Sequence, residues 1–261
     1  MQVTVSSIKS TPFRIAALNV PGMTTHTHGN HHWYDFNSAR GTHSVAKYRG
    51  NVKDVTFAGG AAGNTVFLPY SRDEVHSIVL PANPVGVTTV ITPNLDGCCV
   101  FVEKRNNGEI IVYHANRVTG VSPTMLQSAT QPTFQTPACL THLSTMYAAA
   151  RADHAAGYVG TSTYVAFKKA RYLREVDHVL QHKTAMGRTG TGGAGTAPEQ
   201  ASKTTVALFW RNQRWEMWFQ TYAIFFYKRP DTHWKAKVGF DTVNPSVTGD
   251  YKILECGRYF P

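Results

Sequence analysis

The sequence predicts an α+β fold, and three observations carry the prediction. Many short runs alternate apolar and polar residues between turn residues, two longer helical patterns fall in mid-chain, and strands never alternate with helices in a βαβ rhythm. Thr, Val, Tyr and Phe recur throughout, and a composition of 42% hydrophobic, 11% aromatic and 16% charged residues is that of a folded, strand-leaning chain. At 261 residues the chain is long enough for one large core, and a single domain over 1–261 is expected.

No apolar run reaches the length of a signal-peptide core or the ~20 residues of a membrane span, so a soluble chain with no membrane partner is expected. The four cysteines, Cys98, Cys99, Cys139 and Cys256, have no zinc-ligand spacing, and an adjacent pair is a poor start for a disulfide framework. Reduced thiols are therefore expected. A formal charge of +10 favours an acidic partner, but Lys and Arg are dispersed rather than blocked, which argues against nucleic acid on charge alone.

In chain order, Val3 to Val20 suits a first strand and a connection punctuated by Pro12. His26, His28, His31, His32 and His43 then crowd one segment. His26-Thr27-His28 points two imidazoles to one face of a strand, and a cupin-like metal site would add His76 or Asp35; no second motif at a fitting spacing is present, so a polar histidine-rich loop is the preferred reading. Val52 to Tyr70 reads as two strands about a Gly59–Asn64 turn. Ser71 with Glu74 forms a capping-box pattern that could start a short helix, and Val85 to Ile91 reads as a buried strand.

Beyond the central hairpin, Ser122 to Pro137 is loop-like, Leu140 to Ala156 is helical with Gly157 as its stop, and Thr163 to His182 carries a second helical pattern. Ala185 to Lys203 reads as a flexible Gly-rich loop. Its Gly190, Gly192 and Gly195 match a dinucleotide fingerprint, but a helix precedes them and Pro198 interrupts the residues that a second helix would need. Thr204 to Lys228 is the most aromatic stretch, turning at Arg211-Asn-Gln-Arg214. It reads as sheet core, with a base-stacking platform as the alternative. A last strand is expected at Tyr251 to Glu255.

The stretch with chemistry is Thr92 to Asn116, two strands joined by a turn, with Cys98 opening the first and His114 closing the second. A two-residue Asn107-Gly108 turn would put Cys99 on the face of His114. A three-residue Asn106-Asn107-Gly108 loop with Gly108 left-handed puts Cys98 there instead. The second register sorts the residues better: Cys98, Val100, Val102, Ile110, Val112 and His114 line one face, and Glu103, Arg105 and Glu109 the other. Cys98 is chosen, and Gly97 before it lets a substrate or an oxyanion approach the thiol.

Leu95-Asp96-Gly97-Cys98, the apolar strand after it and His114 resemble the Leu-Ser-Gly-Cys and histidine signature of the cytotoxic necrotizing factor and Burkholderia lethal factor deamidases. Val66-Phe67-Leu68-Pro69-Tyr70, and Thr92 six positions before the cysteine, extend the likeness. It spans Thr65 to Asn116 and departs from the family at Asp96, where the family has serine, and at the second cysteine, Cys99.

The resemblance implies a central β-sandwich of mixed or antiparallel sheets flanked by helices, and a bacterial toxin or effector, secreted or injected and acting in the host cytosol. It also implies that the toxin deamidates a glutamine of a host Rho-type small GTPase or translation-initiation helicase. Cys98 would be the nucleophile, His114 its base and Thr92 the residue whose backbone carbonyl orients the imidazole, with no metal or organic cofactor required. An amine reaching the thioester first would give transglutamination. The alternative function is a non-catalytic basic protein that binds RNA through the 204–228 aromatics.

Overall fold

Hydrophobic alternation sorts this chain into two sheets whose apolar faces meet. The computed structural model describes residues 2–16, 20, 22–49, 52–95, 98–116, 137–156, 158–167, 199–227 and 248–260. One sheet has eight strands in the order β1 (Phe13–Ile15), β5 (Val52–Gly59), β4 (Arg40–Arg49), β6 (Thr65–Phe67), β8 (Thr89–Ile91), β12 (Glu199–Arg211), β13 (Arg214–Tyr227) and β14 (Thr248–Phe260). The other has six, in the order β11 (Ser162–Phe167), β9 (Cys99–Arg105), β10 (Ile110–Ala115), β7 (Val75–Leu80), β3 (His31–Tyr34) and β2 (Thr25–His28). Both sheets are mixed, with parallel pairs β1–β5 and β6–β8 in the first and β3–β7 in the second.

The main core lies between the sheets, where Ile78, Val100, Val102, Ile110 and Val112 meet Val66, Val90, Val206, Leu208 and Phe219. Burial of this apolar surface is the term that holds the two layers together. A second core on the far side of the larger sheet gathers Phe13, Ile15, Phe67, Ile91 and Phe209 with Ile8 of α1 (Val5–Ile8). A third lies under α2 (Pro137–Ala155), where Met146, Tyr147 and Ala150 cover Cys99, Phe101, Ile111 and Tyr113. The architecture is thus β-rich with few helices, the coarse class that the sequence predicts.

Several elements differ from expectation. The first strand starts later than Val3, because Thr4 and Ser7 cap each other reciprocally and wind Val5–Ile8 into one helical turn. The histidines expected on a polar loop lie on β2, β3 and β4 instead, and β4 separates β5 from β6, so the Gly59–Asn64 turn joins strands that are not neighbours. No helix starts at Ser71. The chain turns there through Asp73 at φ 60° and enters β7, whose β-branched Val75 and Ile78 suit a buried central strand. Val85 is 80% exposed, and the strand expected from it spans only Thr89–Ile91.

The helix expected from Thr163 begins instead as strand Ser162–Phe167, an edge position where alternation outweighs helical spacing, and residues 168–182 lie outside the described part. Of the Gly-rich loop expected over 185–203, residues 199–203 belong to β12 and the rest lie outside the described residues, as does Ser122 to the residue before Pro137. The helix at Leu140–Ala156 and the Arg211–Arg214 turn are found, the latter with Asn212 and Gln213 at positive φ. Phe209, Trp215, Phe219 and Tyr222 are buried, so this part of the aromatic stretch is sheet core and not a stacking platform.

Candidate active site

The β9–β10 hairpin has the three-residue loop. Arg105 N–H donates to Glu109 O at 2.9 Å, Gly108 N–H donates to Arg105 O at 3.1 Å, and Gly108 sits at φ +88°, a conformation open to a residue without a β-carbon. Ile110 therefore faces Lys104, Val112 faces Val102 and His114 faces Val100. Alternation then decides the cysteines. Cys98 belongs with Val100, Val102, Ile110 and Val112 in the core between the sheets, and Cys99 lies on the opposite face under α2. Glu103, Arg105 and Glu109 share that outer side as expected, with Glu103 held by Arg151 at 3.0 Å and Arg105 by Glu109 at 3.1 Å.

His114 is fully buried and stacks on Tyr70, the ring centroids 5.2 Å apart. Thr92, in the segment leaving β8, reaches it, though not through the atom that the resemblance implied. The contact is made by the threonine hydroxyl, with Oγ1 2.6 Å from Nδ1, and not by the backbone carbonyl. Nε2 has no hydrogen-bond partner among the described residues, so the Cys98 thiol is on the same face but not bonded to it. Burial is the main cause that pushes the His114 pKa down to about 3, with His76 adding to it, so the ring is neutral at pH 7. Donation from Nδ1–H to Thr92 avoids a buried N–H without an acceptor, and it leaves Nε2 as a bare base.

Sequence reasoning missed that His114 closes a row. His76 stands opposite His114 on β7, and His32 stands opposite His76 on β3. The His32 and His76 rings stack at 5.1 Å, and the two oxygens of Glu74 meet His76 Nε2 at 3.1 Å and His32 Nε2 at 3.3 Å. Tyr34 OH lies 2.7 Å from His76 Nδ1 and Thr27 Oγ1 lies 3.0 Å from His32 Nδ1. Burial, with His32 beside it, lowers the His76 pKa to about 4. Burial opposes ionisation of Glu74, but Ser71 and the two imidazoles outweigh it and hold the carboxyl below its usual range. The signal was the alternation Glu74-x-His76 and His32-x-Tyr34, visible once both segments are read as strands.

The cupin-like set does not assemble. His26 and His28 lie on the opposite face of the sheet from His76 and bond Asp35 and Asp153 respectively, and among the described residues no three His, Cys, Asp or Glu side chains are placed to hold a metal ion. Asp96 and Gly97, expected near the oxyanion, lie outside the described residues. No helix among them is long and apolar enough to cross a membrane. Compared with known proteins, the chain matches no family model and no curated protein.

Proposed function

We propose that this protein is a protein-glutamine deamidase of the kind the hairpin resembles, a bacterial effector acting on a host protein, with a small GTPase or a translation-initiation helicase as substrate class. The observation that carries the reading is the buried, unpartnered Nε2 of His114, on the same sheet face as the Cys98 thiol with its other nitrogen anchored on Thr92. Its support is the independent agreement between the motif and a register fixed by Gly108.

These groups define the reaction. Nε2 takes the thiol proton as sulfur attacks the carboxamide carbon, and the tetrahedral intermediate collapses with the nitrogen leaving as ammonia, protonated by the imidazolium. Water, deprotonated by the same Nε2, then cleaves the thioester to leave glutamate. Because burial keeps His114 neutral, it acts as a general base toward a thiol and not as the cation of a resting ion pair. Incubating the protein with host-cell extract and searching tryptic peptides for the roughly one-dalton Gln to Glu gain tests the reading. Cys98→Ser should abolish that gain. A variant that deamidates as wild type overturns the proposal.

A further inference from the structure

The other face of the six-stranded sheet carries a second histidine cluster, bonded without a gap. On α2, Asp153 places Oδ1 2.6 Å from His28 Nδ1 and Oδ2 2.7 Å from His31 Nδ1. His31 Nε2 lies 2.7 Å from Ser77 Oγ, and that oxygen lies 2.7 Å from Nε2 of His154, the next residue of α2. These contacts tie the end of the helix to β2, β3 and β7. Ser77, His31 and Asp153 are arranged in the order of a hydrolase triad. Ser77, however, is fully buried in mid-strand, paired on both sides, with its oxygen already engaged by His154, so the set fastens a helix rather than presenting a nucleophile.

The proton count is fixed by the geometry. Asp153 is ionised: burial opposes this, but His31 and His28 hold its pKa down. It accepts N–H from both rings, so a neutral His31 has a bare Nε2 that accepts the Ser77 O–H. Ser77 Oγ then has only lone pairs left and accepts His154 Nε2–H. A proton added to His31 Nε2 would aim two N–H groups at one oxygen and strip the serine hydrogen of its acceptor. A proton added to His154 would bury a cation beside Arg105, whose guanidinium donates to the His154 carbonyl. We propose that this cluster is a proton-sensitive latch, closed by neutral histidines and opened by acid, that lets the end of α2 beyond Arg151 lift from the sheet.

The groups facing the cluster agree with that sign. They are His28 from β2, His31 and Trp33 from β3, Ser77 from β7, Glu103 and Arg105 from β9, Tyr113 from β10, and Arg151 and Asp153 from α2. Burial first, then His31 and Arg105, lower the His154 pKa to about 4 against the pull of Asp153 and Glu103, and burial also outweighs Asp153 at His31. Released rings titrate near 6.5, so the open state binds more protons, and opening grows as pH falls from there toward 4. At pH 5 His154 alone raises the opening constant ~30-fold over its value at pH 8. The Glu103–Arg151 pair keeps its charges in this window and holds the helix above it.

Residue-resolved amide exchange, corrected for intrinsic rates, tests the latch. The amides of Asp153 to Ala156 should lose ~30-fold or more protection between pH 8 and pH 5, while those of Met146 to Ala150 keep theirs. His154→Gln retains an N–H for Ser77 but cannot titrate, and should remove most of the effect; adding His31→Gln should flatten it. Equal protection of wild type at both pH values overturns the proposal. So does loss of protection in His154→Gln matching wild type, and this single variant decides the matter if near-ultraviolet circular dichroism shows the double variant unfolded.

Discussion

The two faces of one sheet hold two histidines of opposite condition. On the inner face His114 has one nitrogen on a hydroxyl and the other buried with no hydrogen-bond partner among the described residues, whereas on the outer face His31 spends both nitrogens and its serine partner both donates and accepts. A saturated network stabilises and orients the elements that it joins. An orphan buried nitrogen lowers stability by about 1–3 kcal/mol unless something else uses it. The unsatisfied atom is therefore the better mark of chemistry, even where the saturated set looks more like a triad. The adjacent cysteines repeat the contrast, Cys98 on the face of the orphan imidazole and Cys99 beneath α2 among apolar side chains.

The sharpest break of that comparison exchanges the roles of the two faces. Cys98→Ala should reduce glutamine deamidation by ~10³-fold or more while leaving stability within about 1 kcal/mol, since a small buried side chain replaces a thiol. Ser77→Ala should do the reverse. Deamidation should persist, and urea unfolding at pH 7 should show a loss of about 1–3 kcal/mol, because two imidazole nitrogens lose their shared partner. If Ser77→Ala abolishes activity in a folded protein and Cys98→Ala does not, the faces have been assigned the wrong way round.

How much of this was legible in the sequence varies with how local the cause is. The hairpin register was readable because Asn106-Asn107-Gly108 encodes its own loop, and one left-handed glycine then fixes which cysteine shares the face of His114. The β12–β13 turn was legible for the same reason. The histidine row was not, because β3 and β7 lie far apart in sequence and pair in parallel, so nothing near His32 announces His76. Ser71-x-x-Glu74 misled in the same region. Its hydroxyl and carboxylate do interact, but Glu74 serves two imidazoles instead of a helix start. Thr92 lies beside His114, but its hydroxyl touches the ring where the resemblance implied the backbone carbonyl.

A smaller effect separates the two fastenings of α2. Glu103 is buried and bonded by Arg151, Ser162 and Tyr113, and despite the opposing effect of burial these partners hold its carboxyl below the usual range. The stability it supplies is therefore present above the ordinary carboxylate pKa and lost as pH falls through the lowered one. Because the Arg151 side chain is 36% exposed, solvent screening reduces the pair, and Glu103→Gln should cost about 1–2 kcal/mol at pH 7. The difference from wild type should shrink below pH 4, whereas the Asp153 cluster should already respond between pH 6.5 and 5. Urea unfolding across pH separates the two windows, and a single shared transition would mean that helix and sheet are fastened as one unit.

The smallest effect concerns which atom of Thr92 steadies His114. If the hydroxyl accepts Nδ1–H, Thr92→Ser keeps the bond and Thr92→Val deletes it while conserving shape, so the valine variant alone should lose about tenfold in kcat/KM, the worth of one neutral hydrogen bond. Both variants retain the backbone carbonyl. Equal activity in the two would hand the orienting role back to that carbonyl, as the motif implies, and would leave the hydroxyl as a packing contact. Loss in valine alone would make the pair Thr92–His114 the inner-face counterpart of Asp153–His31, with a neutral hydroxyl where the outer face uses a carboxylate. That difference has a chemical consequence. A carboxylate at Nδ1 pulls toward the imidazolium, as Asp153 does at His31 without overcoming burial, whereas a hydroxyl adds no such pull and leaves the buried His114 neutral with its Nε2 bare, ready to take the proton of a thiol.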